Sequence, residues 1–236
     1  MIRPVWGTMR MLDHSEDPIF WEKFFTSLHS RGVTCLHSSF EYPSFALLSE
    51  VLRRLSRKEI FFSHIIKLAE PSFHEQNFVA ERFLSKLDWY KKLLPGNIRA
   101  VQWMWRSEGS DITRIENFLK YQNEISKITS IVPTYCFPYS IDFAEKALEI
   151  KDLKGLIVYW NKDEIEYKEA LQINARLGRG AISLRPFYTH ERNIPVDATK
   201  ALNFCEKIPN LEAIVFTSTS SRHLDESLTF FNDQLS

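Results

Sequence analysis

The chain has 236 residues, 44% of them hydrophobic, and its 30 basic side chains balance 30 acidic ones, giving a pI near 7.1. Such a chain can bury the core of one domain, and its charge balance argues against a broad electrostatic face for nucleic acid or anionic lipid. The 7 glycines form no G-x-G-x-x-G phosphate loop, and no apolar run approaches the roughly 18 residues that a membrane span needs.

The first residues, "MIRPVWGTMRML", show no apolar signal region. A strand follows from "RPVWGTM" (3–9), then a helix from "DPIFWEKFFTSLHSRG", with Phe20, Phe24 and Leu28 spaced as one face and Gly32 suited to its C-terminus. The second strand, "VTCLHSS" (33–39), leads into the helix "SFALLSEVLRRLS", where Leu47, Val51 and Leu55 form a stripe. Strands at 60–68 and 99–105 flank the helical "NFVAERFLSKLDWYKKLL". Further strands at 129–137, 155–160, 180–187 and 212–219 alternate with four more helical patterns. Eight strands alternating with helices predict a parallel sheet, and eight units close a single α/β domain, a (β/α)8 TIM barrel over 1–236. That fold usually takes about 250 residues, so the loops are expected to be short.

Cys35, Cys136 and Cys205 lie too far apart in sequence for a zinc cluster or a disulfide framework, which points to a reducing, cytoplasmic compartment. Neither a membrane nor a nucleic acid is expected as partner. A small-molecule ligand is, with the chain as a monomer or small homo-oligomer.

In a barrel the active site lies where the strands end at their C-termini. Here those ends carry Gly7 to Arg10, His37 to Tyr42, Ile65 to Lys67, Met104 to Arg106, Tyr135 to Phe137, Trp160 to Lys162, Arg185 to Phe187 and Thr217 to Ser221. "HSSFEY" (37–42) gathers His37, Ser38, Ser39, Glu41 and Tyr42 at one strand–helix junction. His37 suits acid–base work near neutral pH, and Arg106 and Arg185 suit bidentate capture of a carboxylate or phosphate. His64 falls on the opposite strand face from Lys67, so a metal site shared by His37 and His64 fails on parity. The band "WMWR" (103–106) could stack a sugar or another ring, but its alternating aromatics are expected in the core.

Several stretches, in order, resemble the aldo/keto reductases, barrels that reduce carbonyls with NADPH. "WGTMR" (6–10) is similar to that family's first-strand Gly-Thr segment, and "RGVTCLHSSFEYPSFALLSEVLRR" (31–54) to its second strand, catalytic tyrosine and following helix. "RKEIFFSHI", "IRAVQWMWR", "LKGLIVYWNKDEI" and "AIVFTSTSSRHLDESLTFF" resemble its third, fourth, sixth and eighth strands. The resemblance implies NADP(H) as cofactor and a tetrad in which a lysine, paired with an aspartate, tunes a tyrosine that protonates the carbonyl while a histidine orients the substrate. Carried across, the tyrosine is Tyr42, while the aspartate position holds His37, the lysine position Ile65 and the histidine position Met104. Lys67, two residues on and hence on the same strand face, is the candidate replacement for the lysine. On the cofactor side the resemblance implies Gly7, Thr8, Asn161, Arg185, Thr217, Ser218 and Arg222. No metal is implied. Three readings follow: a divergent barrel with a small-molecule pocket around Tyr42 and His37, an NADPH-dependent oxidoreductase with a rearranged site, and a non-catalytic interaction scaffold.

Overall fold

The computed structural model describes residues 2–69, 77–105, 111–190 and 196–233. All eight expected strands are present: β1 (Arg3–Gly7), β2 (Cys35–Ser38), β3 (Ser63–Ala69), β4 (Ile98–Met104), β5 (Thr134–Cys136), β6 (Gly155–Tyr159), β7 (Gly180–Leu184) and β8 (Leu211–Phe216). They are parallel in sequence order, and β1 pairs with β8 through Arg3–Ala213 to Trp6–Phe216, closing the barrel. The helices are α1 (Pro18–Ser30), α2 (Phe45–Ser56), α3 (Ala80–Leu93), α4 (Asp111–Lys120), α5 (Gln122–Thr129), α6 (Ile141–Ala147), α7 (Lys168–Arg176), α8 (Ala198–Cys205) and α9 (Ser221–Asp233).

Alternation along each strand sorts side chains between two cores. Val5, Cys35, Ile65, Ala100, Ile157 and Val215 fill the barrel interior. Trp6, Leu36, Ile66, Val101 and Trp103 face outward into the larger core beneath the helices. Trp6 illustrates that outer layer, with Trp21 5.6 Å away and Phe25 5.3 Å away, ring centre to ring centre. Trp103 and Trp105 are core residues as expected, each 1% exposed.

The apolar face of α1 differs from the expected stripe. Trp21, Phe25 and Leu28 are buried, Phe24 packs partly buried, and Phe20 is 41% exposed. Two overlapping apolar stripes run along this helix, and the start of the chain selects between them. Asp17 caps the helix by accepting from the Ile19 amide at 2.8 Å, and the Trp21 indole donates to the Ser15 carbonyl at 2.8 Å. In α2, likewise, Leu48 and Leu52 join Val51 and Leu55 in the core while Leu47 is only partly buried. The α1 terminus is as expected: Gly32, at φ +88°, takes the left-handed position just past the helix, and its amide donates to the His29 carbonyl.

Candidate active site at the C-terminal strand ends

The loop after β2 is short and tightly tied. Thr8, at the end of β1, donates its amide and its hydroxyl to the His37 carbonyl at 3.0 and 3.1 Å. The Ser44 hydroxyl, just before α2, donates to the Thr8 carbonyl at 2.7 Å. Between these anchors the Tyr42 amide donates to the Ser39 carbonyl at 3.1 Å, and the Tyr90 hydroxyl accepts from the Phe40 amide at 2.6 Å. Glu41 and Tyr42 are thereby held over the rim of the barrel.

Beneath them His37 points into the barrel, its Nε2 2.5 Å from Gln102 Oε1 on β4. With a carbonyl oxygen as partner, Nε2 carries the proton. Burial is the main cause that lowers the His37 pKa to about 4, and the nearby Lys67 ammonium adds to it against the opposing Gln102 hydrogen bond. At neutral pH the ring is therefore uncharged.

Lys67 projects from β3 into the same cluster. Its Nζ lies 3.2 Å from Glu41 Oε2 and 5.5 Å from the centre of the Tyr42 ring. The Tyr42 ring centre lies 6.2 Å from that of His37. Burial pushes the Tyr42 phenol above its ordinary pKa, and the Tyr159 and Glu41 charges add to the rise while Arg185 opposes it. Among the described residues the Tyr42 hydroxyl makes no hydrogen bond.

Across the rim, Arg185 lies with its guanidinium carbon 3.8 Å from the centre of the Tyr159 ring and Nη1 3.7 Å from Glu164 Oε1. Its backbone adopts φ +57°, and its carbonyl accepts from the Tyr188 amide and from Asn161 Nδ2.

The structure thus brings His37, Tyr42 and Lys67 together, with Arg185 at the edge of the group. Glu41 enters as the carboxylate partner of Lys67, and Gln102 as the amide partner of His37. Gln102 carried one signal in the sequence: it shares strand parity with Met104, on the inward face of β4. Glu41 was visible only as part of the polar junction, because its ion pair joins residues 26 positions apart. Arg106 lies outside the described residues.

The residues expected to bind a cofactor lie at or just beyond the ends of β1, β6, β7 and β8 or, for Arg222, in α9. Asn161 is 2% exposed, with Nδ2 donating to Glu164 and to the Arg185 carbonyl and Oδ1 accepting from the Asp163 amide. Thr217 donates to the Gly7 carbonyl at 2.9 Å, and a Cβ at Gly7 would lie 2.7 Å from that hydroxyl. Ser218 donates to the Ser220 carbonyl, and its own carbonyl accepts from the Trp6 indole. Arg222, near the start of α9, is exposed and pairs with Glu226 at 2.8 Å. The Thr8, Asn161, Thr217 and Ser218 side chains are thus hydrogen-bonded within the chain, while the Arg185 and Arg222 guanidinium groups stand at the surface in ion pairs. Among the described residues no group of three or more His, Cys, Asp and Glu side chains is arranged to hold a metal ion, and no helix is long and apolar enough to cross a membrane. His64 faces away from His37, its Nε2 3.1 Å from the Pro95 carbonyl.

Fold and site together define a (β/α)8 barrel with a polar cluster in the position where such barrels carry out chemistry. Solved proteins described as aldo/keto reductases are among those that share this fold. A protein of Pseudomonas aeruginosa classed as an aldo-keto reductase superposes with a TM-score of 0.74 at 15% identity, over 99% of this chain and 91% of the other. An aldo/keto reductase of Klebsiella pneumoniae in complex with NADP and acetate gives 0.62 at 13% identity, over 97% and 85%. A barrel of other chemistry, phosphoribosylanthranilate isomerase of Thermotoga maritima, gives 0.52 at 14% identity, over 99% and 98%. Identities this low establish likeness of fold alone. No protein-family model matches the sequence, and no curated protein matches it.

Proposed function

We propose that this chain is a divergent aldo/keto reductase-like barrel that binds a small polar molecule over Tyr42, His37 and Lys67 and lacks the standard reductase acid. The observation that carries this reading is the placement of Lys67. Its ammonium is paired with Glu41 and stands over the Tyr42 ring. The phenol, held above its ordinary pKa, is a poorer acid than a free tyrosine. The neutral His37 ring and the Tyr42 hydroxyl supply hydrogen-bonding groups to a carbonyl- or hydroxyl-bearing ligand, with Arg185 at the rim to attract an anionic substituent. The buried free thiols Cys35, Cys136 and Cys205 support a reducing, cytoplasmic location.

A second reading, an NADPH-dependent oxidoreductase with a rearranged site, is favoured by one fact. A lysine–carboxylate pair does stand beside Tyr42, with Lys67 and Glu41 in place of the family's pair. One experiment separates the two: titration of the purified protein with NADPH and NADP⁺, read by quenching of its tryptophans. No binding at millimolar cofactor supports the ligand-binding barrel. Saturable binding, together with turnover of an aldehyde that Lys67→Met removes, would replace it with the reductase.

A further inference from the structure

The opposite end of the barrel holds a second concavity that plays no part in the cluster above. It has a volume of about 210 Å³ and lies where the strands begin. Its interior lining combines the small Cys35 on β2, Ala100 on β4 and Ala213 on β8 with the larger Val5, Ile65 and Ile182. The branched and bulky side chains that usually fill a barrel interior are missing at these three strands.

The rim is charged. Arg3, Arg99, Lys154 and Glu212 stand around the opening. Lys154 Nζ is 3.2 Å from Glu212 Oε1, and the other oxygen of Glu212 accepts from the Tyr135 hydroxyl. That leaves Arg3 and Arg99, neither of which has an ion-pair partner among the described residues. Two arginines at the margin of a largely apolar cavity match a ligand with a planar anion at one end and a short apolar body at the other. The volume falls below the roughly 300–1,000 Å³ of pockets that take drug-sized ligands, which restricts the body to a few carbons.

We propose that the N-terminal end of the barrel is a binding site for a small monocarboxylate, its carboxylate held by Arg3 and Arg99 and its short apolar tail lodged over Ala100, Ala213 and Cys35. The site lies at the end of the barrel away from the catalytic position of this fold. It therefore binds without chemistry; of its lining residues, Ile65 sits on β3 two positions before Lys67.

The test is calorimetric titration with hexanoate, alongside hexan-1-ol and inorganic phosphate. Saturable hexanoate binding is expected, weakened about tenfold or more in Arg3→Gln/Arg99→Gln. It should be lost in Ala100→Leu, which fills the floor and leaves the rim unchanged, and unaltered in Lys67→Met at the far end. Since Ala100→Leu alters the interior, the surface double variant keeps the test decisive if that protein fails to fold. Hexan-1-ol binding as tightly as hexanoate would remove the role of the arginines. Phosphate binding as tightly would reduce the site to surface charge. Either result, or no saturable hexanoate binding at millimolar concentration, overturns the proposal.

Discussion

The Lys67 ammonium lies 3.2 Å from a Glu41 carboxylate oxygen, and the two side chains are only 17% and 23% exposed. A pair this sheltered is screened less than a surface one, and removing one partner strands the other charge in a poorly hydrated site. Lys67→Met and Glu41→Gln should therefore each destabilise the protein, and the sum of their losses should exceed the loss in the double variant. A double-mutant cycle measured by urea unfolding should return a coupling of about 0.5–3 kcal/mol. A coupling indistinguishable from zero would mean that the pair is solvated and does not organise the rim.

His37 makes stability depend on pH. Its folded-state pKa of about 4 lies below the ordinary 6.5, so between those values the unfolded chain binds a proton that the folded chain refuses. Stability is then fully present above 6.5 and declines as the pH falls toward 4, by up to about 3 kcal/mol in all. His64, also lowered by burial, acts in the same direction. His37→Gln keeps a neutral partner for Gln102 and should flatten, without abolishing, the fall in Tm across that interval. Identical pH profiles for the two proteins would refute the assignment.

Tyr42 should resist ionisation. Burial and the neighbouring Glu41 and Tyr159 charges hold its phenol above the ordinary value of 10.0. In a spectrophotometric alkaline titration, Tyr42→Phe should leave the phenolate signal near pH 10 unchanged and remove a component that appears only at higher pH. If the variant instead loses signal at or below that pH, the phenol is activated, and the reductase reading gains ground.

Gly155 tests how closely two strands approach. A Cβ there would sit 1.7 Å from the Gly180 carbonyl oxygen, a contact that only a backbone shift between β6 and β7 can relieve. Gly155→Ala should cost about 1–3 kcal/mol, as overpacking does, and lower Tm by roughly 2–4 °C per kcal/mol in a protein of this size. An unchanged Tm would show that the two strands separate at little cost.

The strands and helices were legible because period 2 and period 3.6 are written locally in the positions of apolar residues. Boundaries were less so: the fifth strand, expected over 129–137, is Thr134–Cys136, because Gln122–Thr129 forms α5 ahead of it. The apolar face of α1 was shifted by one position, since Phe20, Trp21, Phe24 and Phe25 offer two adjacent stripes and only the neighbouring Trp6 and the Ser15 carbonyl select between them. Within the site, Tyr42, His37 and Lys67 could be named from one strand–helix junction and one strand parity. Glu41 and Gln102 as their partners could not, because each contact spans the loop or the barrel.

What the chain order determined alone is the barrel. Eight alternating strand and helix patterns with balanced charge leave little else that buries so many apolar side chains. What only the tertiary structure decided is where the polar groups are committed. Asn161, Thr8 and Thr217 are of types that suit a cofactor, yet their hydrogen bonds are taken up by backbone and loop groups far away in sequence or across a turn. Lys67 is of a type that suits an acid-tuning lysine, yet its ammonium is held by Glu41. A side chain's chemistry is local, but its partner is set by how the strands register around a closed sheet, and that partner decides whether the group holds a ligand or the protein itself.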